Sequence, residues 1–171
     1  MITVILGTSP YPFQRAIDWL SVLLNDNVIQ EDVFVQHGVT STSKVDQHPL
    51  VKLESIIESE KLIDAVGRSR MVISHAGQGS TRMLVAQGAS FTLLPRLMSY
   101  EEHVDNHQLM FAQATHQLGV HYCLEFGDLK SAIVCPPVPL STRNLFSGPK
   151  LSDHLCARYP NDIAYGHKLQ V

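Results

Sequence analysis

Two short clusters carry the groups best suited to chemistry. The first, Ser74-His75-Ala76-Gly77-Gln78-Gly79-Ser80, follows the apolar run Met71-Val72-Ile73 and precedes a helical pattern. Glycines at 77 and 79 let backbone N–H groups approach an anion closely. A helix start adds unpaired N–H groups and a favourable dipole, so the pattern suits a diphosphate. Ser80 can cap that helix or donate its hydroxyl to a phosphate. His75, at the strand end, can donate a ring N–H to the same group. The plain structural alternative is a tight turn with a capping serine. An NAD-type fingerprint needs a third glycine near position 82, which is Arg82.

The second cluster is Leu94-Pro95-Arg96 followed by Glu102-His103-Val104-Asp105-Asn106-His107-Gln108. The carboxylate, imidazole and amide of Asp105, His107 and Gln108 suit sugar hydroxyls. The local alternative is a capping box, with Asp105 as N-cap and Gln108 three residues on. His103 and His107 are four apart, but the chain has no HExxH pattern and no obvious third ligand, so no metal is expected. Two smaller groups, Gly7-Thr8 and Gln36-His37-Gly38, also follow apolar runs.

These clusters need elements to position them. The apolar runs Ile2–Leu6, Val33–Val35, Met71–Ile73, Phe91–Leu94 and His121–Leu124 predict strands, with Val51–Ile57 a weaker candidate. Phe13, Ile17, Leu20 and Leu24 recur at helical spacing, with Pro10 or Pro12 suited to the first turn. Ser59 is a candidate cap for a helix carrying Leu62, Ile63 and Val66. Further helices are predicted from Ser80 to Gln87, stopped by Gly88, and from Asp105 to Leu118, stopped by Gly119. Solidly apolar strands separated by helices imply a doubly wound α/β domain: a mostly parallel sheet of about six strands, covered on both faces. Ligands of such sheets bind beyond the strands' carboxyl ends, where three of these clusters sit.

Composition narrows the class. The chain has 171 residues, 44% of them hydrophobic and 17% charged, which suits one domain with a packed core. Thirteen Lys and Arg against sixteen Asp and Glu give a net charge of −3, so nothing favours a nucleic-acid backbone or an anionic lipid surface. Three widely spaced cysteines, Cys123, Cys135 and Cys156, read as reduced thiols of a cytosolic protein. No apolar run approaches the ~20 residues of a membrane span. From Cys135 the chain becomes proline-rich and loses periodicity. The expected division is a binding domain over residues 1–135 and an extension over 136–171.

The stretches ISHAGQGS and LLPRLMSYEEHVDNHQLMFAQA together resemble the C-terminal, sugar-nucleotide-binding domain of family 28 glycosyltransferases. Gly7-Thr8 with Pro12-Phe13 and Arg15 looks like the family's start, as does Gln36-x-Gly38. The likeness covers about residues 1–125 and is strongest to the stand-alone soluble subunits of two-component enzymes, of the dolichol-pathway or bacterial exopolysaccharide type.

The resemblance implies a Rossmann-like half of a GT-B glycosyltransferase. Its donor substrate is a UDP-sugar, with no further cofactor. It implies diphosphate contacts from Gly7, Thr8, His75, Gly77, Gly79 and Ser80, with His75 the catalytic candidate, and sugar contacts from Asp105, His107 and Gln108. Transfer proceeds with inversion to a lipid-linked acceptor held by a membrane-anchored partner, which keeps this chain at the cytoplasmic membrane face. Self-association is a further expectation for the isolated chain. Many relatives carry Glu three residues after the Ser of HAGxGS as a ribose contact; here it is Met83. Two rivals remain: a non-catalytic sugar-nucleotide-binding subunit, and a sugar-nucleotide hydrolase or epimerase.

Overall fold

The computed structural model describes residues 1–140; Cys156 and the extension from Ser141 onward lie outside the described residues. Five strands form one all-parallel sheet: β1 (Ile2–Ile5), β2 (Val33–Gln36), β3 (Val51–Glu54), β4 (Met71–His75) and β5 (Phe91–Leu94), in the order β3-β2-β1-β4-β5. β1 lies at the centre, with Ile2 opposite both Val33 and Met71. All four of its residues are buried, because helices cover both faces.

Strand alternation sorts the core into two layers. Ile2, Val4, Val35, Met71 and Ile73 face α1 (Gln14–Asn25) and α5 (Phe126–Val134). Ile5, Val72, Phe91 and Leu93 face α2 (Ser59–Gly67), α3 (Gln78–Ala86) and α4 (His107–His116). α1 buries Ala16, Ile17, Leu20, Leu23 and Leu24, the stripe its spacing predicts.

The sheet has five strands rather than about six. The expected strand at His121–Leu124 makes a single parallel bridge, Tyr122 to Leu93. The chain then leaves for α5, whose start is fixed by a capping box between Glu125 and Asp128. Three helix starts also differ from expectation. α2 is flanked by Glu58, with Ser59 its first residue; α3 begins after Gly77, so Ser80 lies inside its first turn; α4 follows Asn106 rather than Asp105. Cys123 is buried and Cys135 exposed, both as free thiols.

Candidate functional site

β1 and β4 are neighbours, yet their following helices lie on opposite faces: α1 covers one and α3 the other. The two loops diverge there and open a crevice at the carboxyl edge. A cleft of about 280 Å³ occupies it, and its lining includes Gly7, Thr8, His75, Gly77, Gly79 and Ser80. All six expected diphosphate residues therefore meet in one place.

α3 points its start at this cleft. Gly77 precedes it in extended conformation (φ −84°, ψ 131°), with no side-chain cap. The first amide bonded back to this turn is Thr81 N–H to Gly77 O, at 3.0 Å. The N–H groups of Gln78, Gly79 and Ser80 precede it and have no intrahelical acceptor, which is the arrangement that receives an anion.

The opposite wall is built by Gln36. Its side chain, 3% exposed, accepts the Gly7 N–H at Oε1 (2.9 Å) and donates through Nε2 to Gly7 O (3.0 Å) and Ser55 O (2.9 Å). Gly7 has a positive φ of 79°, which glycine adopts without steric cost. Because its N–H is already engaged, Gly7 shapes the turn, while exposed Thr8 is left to present a hydroxyl to a ligand. Gly38 is equally constrained: its φ is +59°, and a Cβ there would lie 2.5 Å from Gly7 O.

His75 sits between the two glycine turns. A Cβ on Gly77 would lie 2.3 Å from its Nε2, and one on Gly7 would lie 2.8 Å from the same atom. Nδ1 contacts Ile5 O at 3.3 Å, and a carbonyl only accepts, so Nδ1 carries the proton. Burial pushes the imidazole pKa down to about 4; the Ile5 hydrogen bond opposes this, and the Arg96 charge adds to it. The ring is neutral near pH 7, with a lone pair at Nε2. The sequence suggested a ring N–H donor to phosphate; this geometry makes Nε2 an acceptor.

The second cluster is not gathered into the same cleft. Gln108 is buried, and its Oε1 accepts the Arg96 N–H at 3.2 Å. Asp105 and His107 are exposed and bonded to each other: Asp105 Oδ1 accepts the His107 backbone N–H (3.0 Å) and pairs with His107 Nδ1. No capping box forms there, since α4 starts two residues beyond Asp105. Those interactions, the His107 backbone bond first, hold the Asp105 carboxyl below its usual range.

Sequence reading missed the scaffold roles of Arg96 and Glu102. Arg96 is 1% exposed, lies over the Phe13 ring, and donates to Tyr11 O (2.7 Å), Leu6 O (2.8 Å) and Glu102 O (3.2 Å). Burial lowers its pKa to about 10, with Glu102 opposing, so it remains a cation at neutral pH. Glu102 takes a two-point bond from Arg15 (2.9 and 2.8 Å) and the Leu97 N–H (2.9 Å). A separate cleft of about 670 Å³ opens beside this pair, with Trp19, Tyr100 and Phe126 in its walls.

The sequence pattern described as the glycosyltransferase family 28 C-terminal domain matches residues 1–134, and the chain belongs to that family. No curated protein sequence matches it. Among solved structures it resembles ALG13, seen by NMR in solution: 19% identity, TM-score 0.56, covering 85% of this chain and 92% of that one. It also resembles MurG of Acinetobacter baumannii, at 16% identity and TM-score 0.55, covering 84% and 42%. The glycosyltransferase SnogD of Streptomyces nogalater gives 17%, TM-score 0.55, and 93% and 42%. The chain thus spans about two fifths of the latter two proteins. No helix among the described residues is long and apolar enough to cross a membrane.

Proposed function

We propose that this chain is the donor-binding half of an inverting glycosyltransferase that takes a UDP-sugar and acts with a second, membrane-anchored subunit carrying a lipid-linked acceptor. The observation that supports it best is the uncapped start of α3 facing Thr8 across the β1/β4 crevice, in a chain of family 28.

In this reading the diphosphate rests on the first-turn N–H groups of α3 and on the hydroxyls of Ser80 and Thr8. The acceptor oxygen forms a bond to the anomeric carbon as the bond to the β-phosphate oxygen breaks. The electron pair leaves with UDP, the acceptor proton passes to a base on the partner, and configuration inverts. Fixed N–H dipoles aimed at the departing phosphate stabilise the charge that develops there. His75 keeps the two glycine turns at the spacing the diphosphate needs, and its Nε2 is free to accept from a hydroxyl. Asp105 and His107 stand at the sugar side.

A partner over the carboxyl edge is supported by the apolar side chains exposed there. Val39, Ile56, Met98, Tyr100 and Val104 are 52–74% exposed, on loops that follow β2, β3 and β5. Residues 1–135 are the donor domain in this proposal, and the extension from 136 onward is available to the partner.

Calorimetry with UDP and a panel of UDP-sugars is the first test, since a folded chain that binds none at millimolar concentration refutes the reading. Turnover is then measured with lipid-linked acceptors, with and without the candidate partner. Transfer by the pair only is expected. Full turnover by the chain alone overturns the half-enzyme assignment, and release of free sugar by the chain alone favours a hydrolase.

A further inference from the structure

The loop that enters α4 brings three ligand-type atoms together. His103, Asp105 and His107 each offer one ligand atom, and these lie within 4.8 Å of one another. His103 Nδ1 and Asp105 Oδ1 are 3.4 Å apart. Two atoms bound at about 2.0–2.1 Å to a tetrahedral Zn²⁺ are separated by about 3.4 Å, so this edge already has the required length. Asp105 Oδ1 and His107 Nδ1 are closer, at hydrogen-bond contact, and need only open to the same separation.

Proton positions suit ligation as well. The Val104 N–H donates to His103 Nδ1 at 2.9 Å, so that nitrogen is unprotonated, and it gives up this hydrogen bond when its lone pair turns to a metal. The His103 and His107 rings stand edge to face with centroids 4.4 Å apart, and Tyr11 packs at 5.7 Å from the His103 ring. The Asp105 and His107 side chains are 58% and 55% exposed, which leaves a fourth position open to water.

We propose that His103, Asp105 and His107 form a binding site for a borderline divalent cation of the Zn²⁺ class, with two imidazoles, one carboxylate and one open position. Imidazole and carboxylate donors in this number favour Zn²⁺, Co²⁺ or Ni²⁺ over Mg²⁺ or Ca²⁺. On binding, His107 moves its ring proton from Nδ1 to Nε2, and Asp105 exchanges a hydrogen bond for a coordinate bond. The filled site ties the β5–α4 connection to the first residue of α4 and withdraws Asp105 and His107 from any other ligand. A bound metal would compete with the sugar role proposed above for Asp105 and His107, but the readout uses no nucleotide, so failure of this assignment and failure of the donor reading are distinguishable.

The test titrates the untagged full chain, stripped with chelator, with Co²⁺ followed by visible absorption and with Zn²⁺ followed by calorimetry. One equivalent is expected, with the intense d–d bands of a four-coordinate Co²⁺ site. His103→Gln, Asp105→Asn and His107→Gln should each weaken binding at least about tenfold, with far-ultraviolet circular dichroism unchanged. No saturable uptake at millimolar metal overturns the proposal. So does wild-type affinity in any one of the three variants, which would move the metal to other histidines.

Discussion

Gly77→Ala tests whether His75 is boxed between the two glycine turns. The added methyl would stand 2.3 Å from Nε2, and the Gly7 turn closes the other side of the ring, where even a Cβ on Gly7 would come within 2.8 Å of the same atom. The imidazole must swing out and lose its contact with Ile5 O. Overpacking costs about 1–3 kcal/mol and the lost hydrogen bond about 0.5–1.5 kcal/mol, so the variant should lose roughly 2–4 kcal/mol. Two smaller terms nearly cancel: alanine is a poorer cap residue than glycine, but it lowers unfolded-chain entropy. In a His75→Ala background the methyl has no ring to meet, and Gly77→Ala should be close to neutral. Urea unfolding of the wild type, both single variants and the double variant measures the coupling, expected at about 2 kcal/mol. UDP affinity should follow the same pattern, weakened in Gly77→Ala and partly restored in the double variant. Additivity within about 0.5 kcal/mol would refute the boxed ring and the turn spacing built on it.

The remaining predictions concern pH and the loop anchors. The folded pKa of His75, about 4, lies below its unfolded value of 6.5, so its share of stability is full above pH 6.5 and falls as acid protonates the unfolded chain. The loss is complete below pH 4 and amounts to about 3 kcal/mol. Subtracting the His75→Gln unfolding curve isolates it from His121, which burial also lowers; a pH-independent difference contradicts the assignment. Glu102→Gln should destabilise by about 3–5 kcal/mol, because it leaves buried Arg15 without its two-point partner, and a loss below about 1 kcal/mol would show a solvated pair. Gly38→Ala should destabilise and also weaken UDP binding, since its Cβ would strike Gly7 O, a backbone atom with no rotamer to yield. Unchanged UDP affinity in folded Gly38→Ala would separate this turn from the site.

Much of this architecture is readable from residue spacing, and the exceptions have physical causes. Strands buried on both faces announce themselves as unbroken apolar runs, as Ile2–Ile5 does. His121–Leu124 has the same look, yet hydrogen bonds from Leu93 to His121 O and from Cys123 to Leu93 O give only one bridge before the chain turns into α5. α5 itself went unread because Gly127 stands in its first turn; Leu129, Ala132 and Ile133 at helical spacing were the available signal. Helix starts were misplaced where a serine or aspartate looked like a cap. The observed caps at Gly77, Glu58 and Asn106 form no side-chain capping bonds, so their composition carried little information.

Burial shows which polar residues of the motif hold position and which remain open to solvent. From sequence, Arg96, Glu102 and Gln108 look as ready for a ligand as Asp105 or His107. Burial separates them. Arg96 holds carbonyls at Leu6 and Tyr11, which lie on the β1–α1 connection, and a third at Glu102, on the β5–α4 connection. Glu102 then ties the second loop to Arg15 on α1, and Gln108 ties α4 to Arg96. A loop cannot satisfy its own carbonyls as a helix does, so a buried guanidinium with several donors is an economical way to fix two loops at once. Its Nε has no hydrogen-bond partner among the described residues, while the other donors hold the two connections in register. Displacing Arg96 should therefore disturb the Gly7–Thr8 turn and the His103–His107 loop together, although neither cluster touches the other through its own ligand-facing groups.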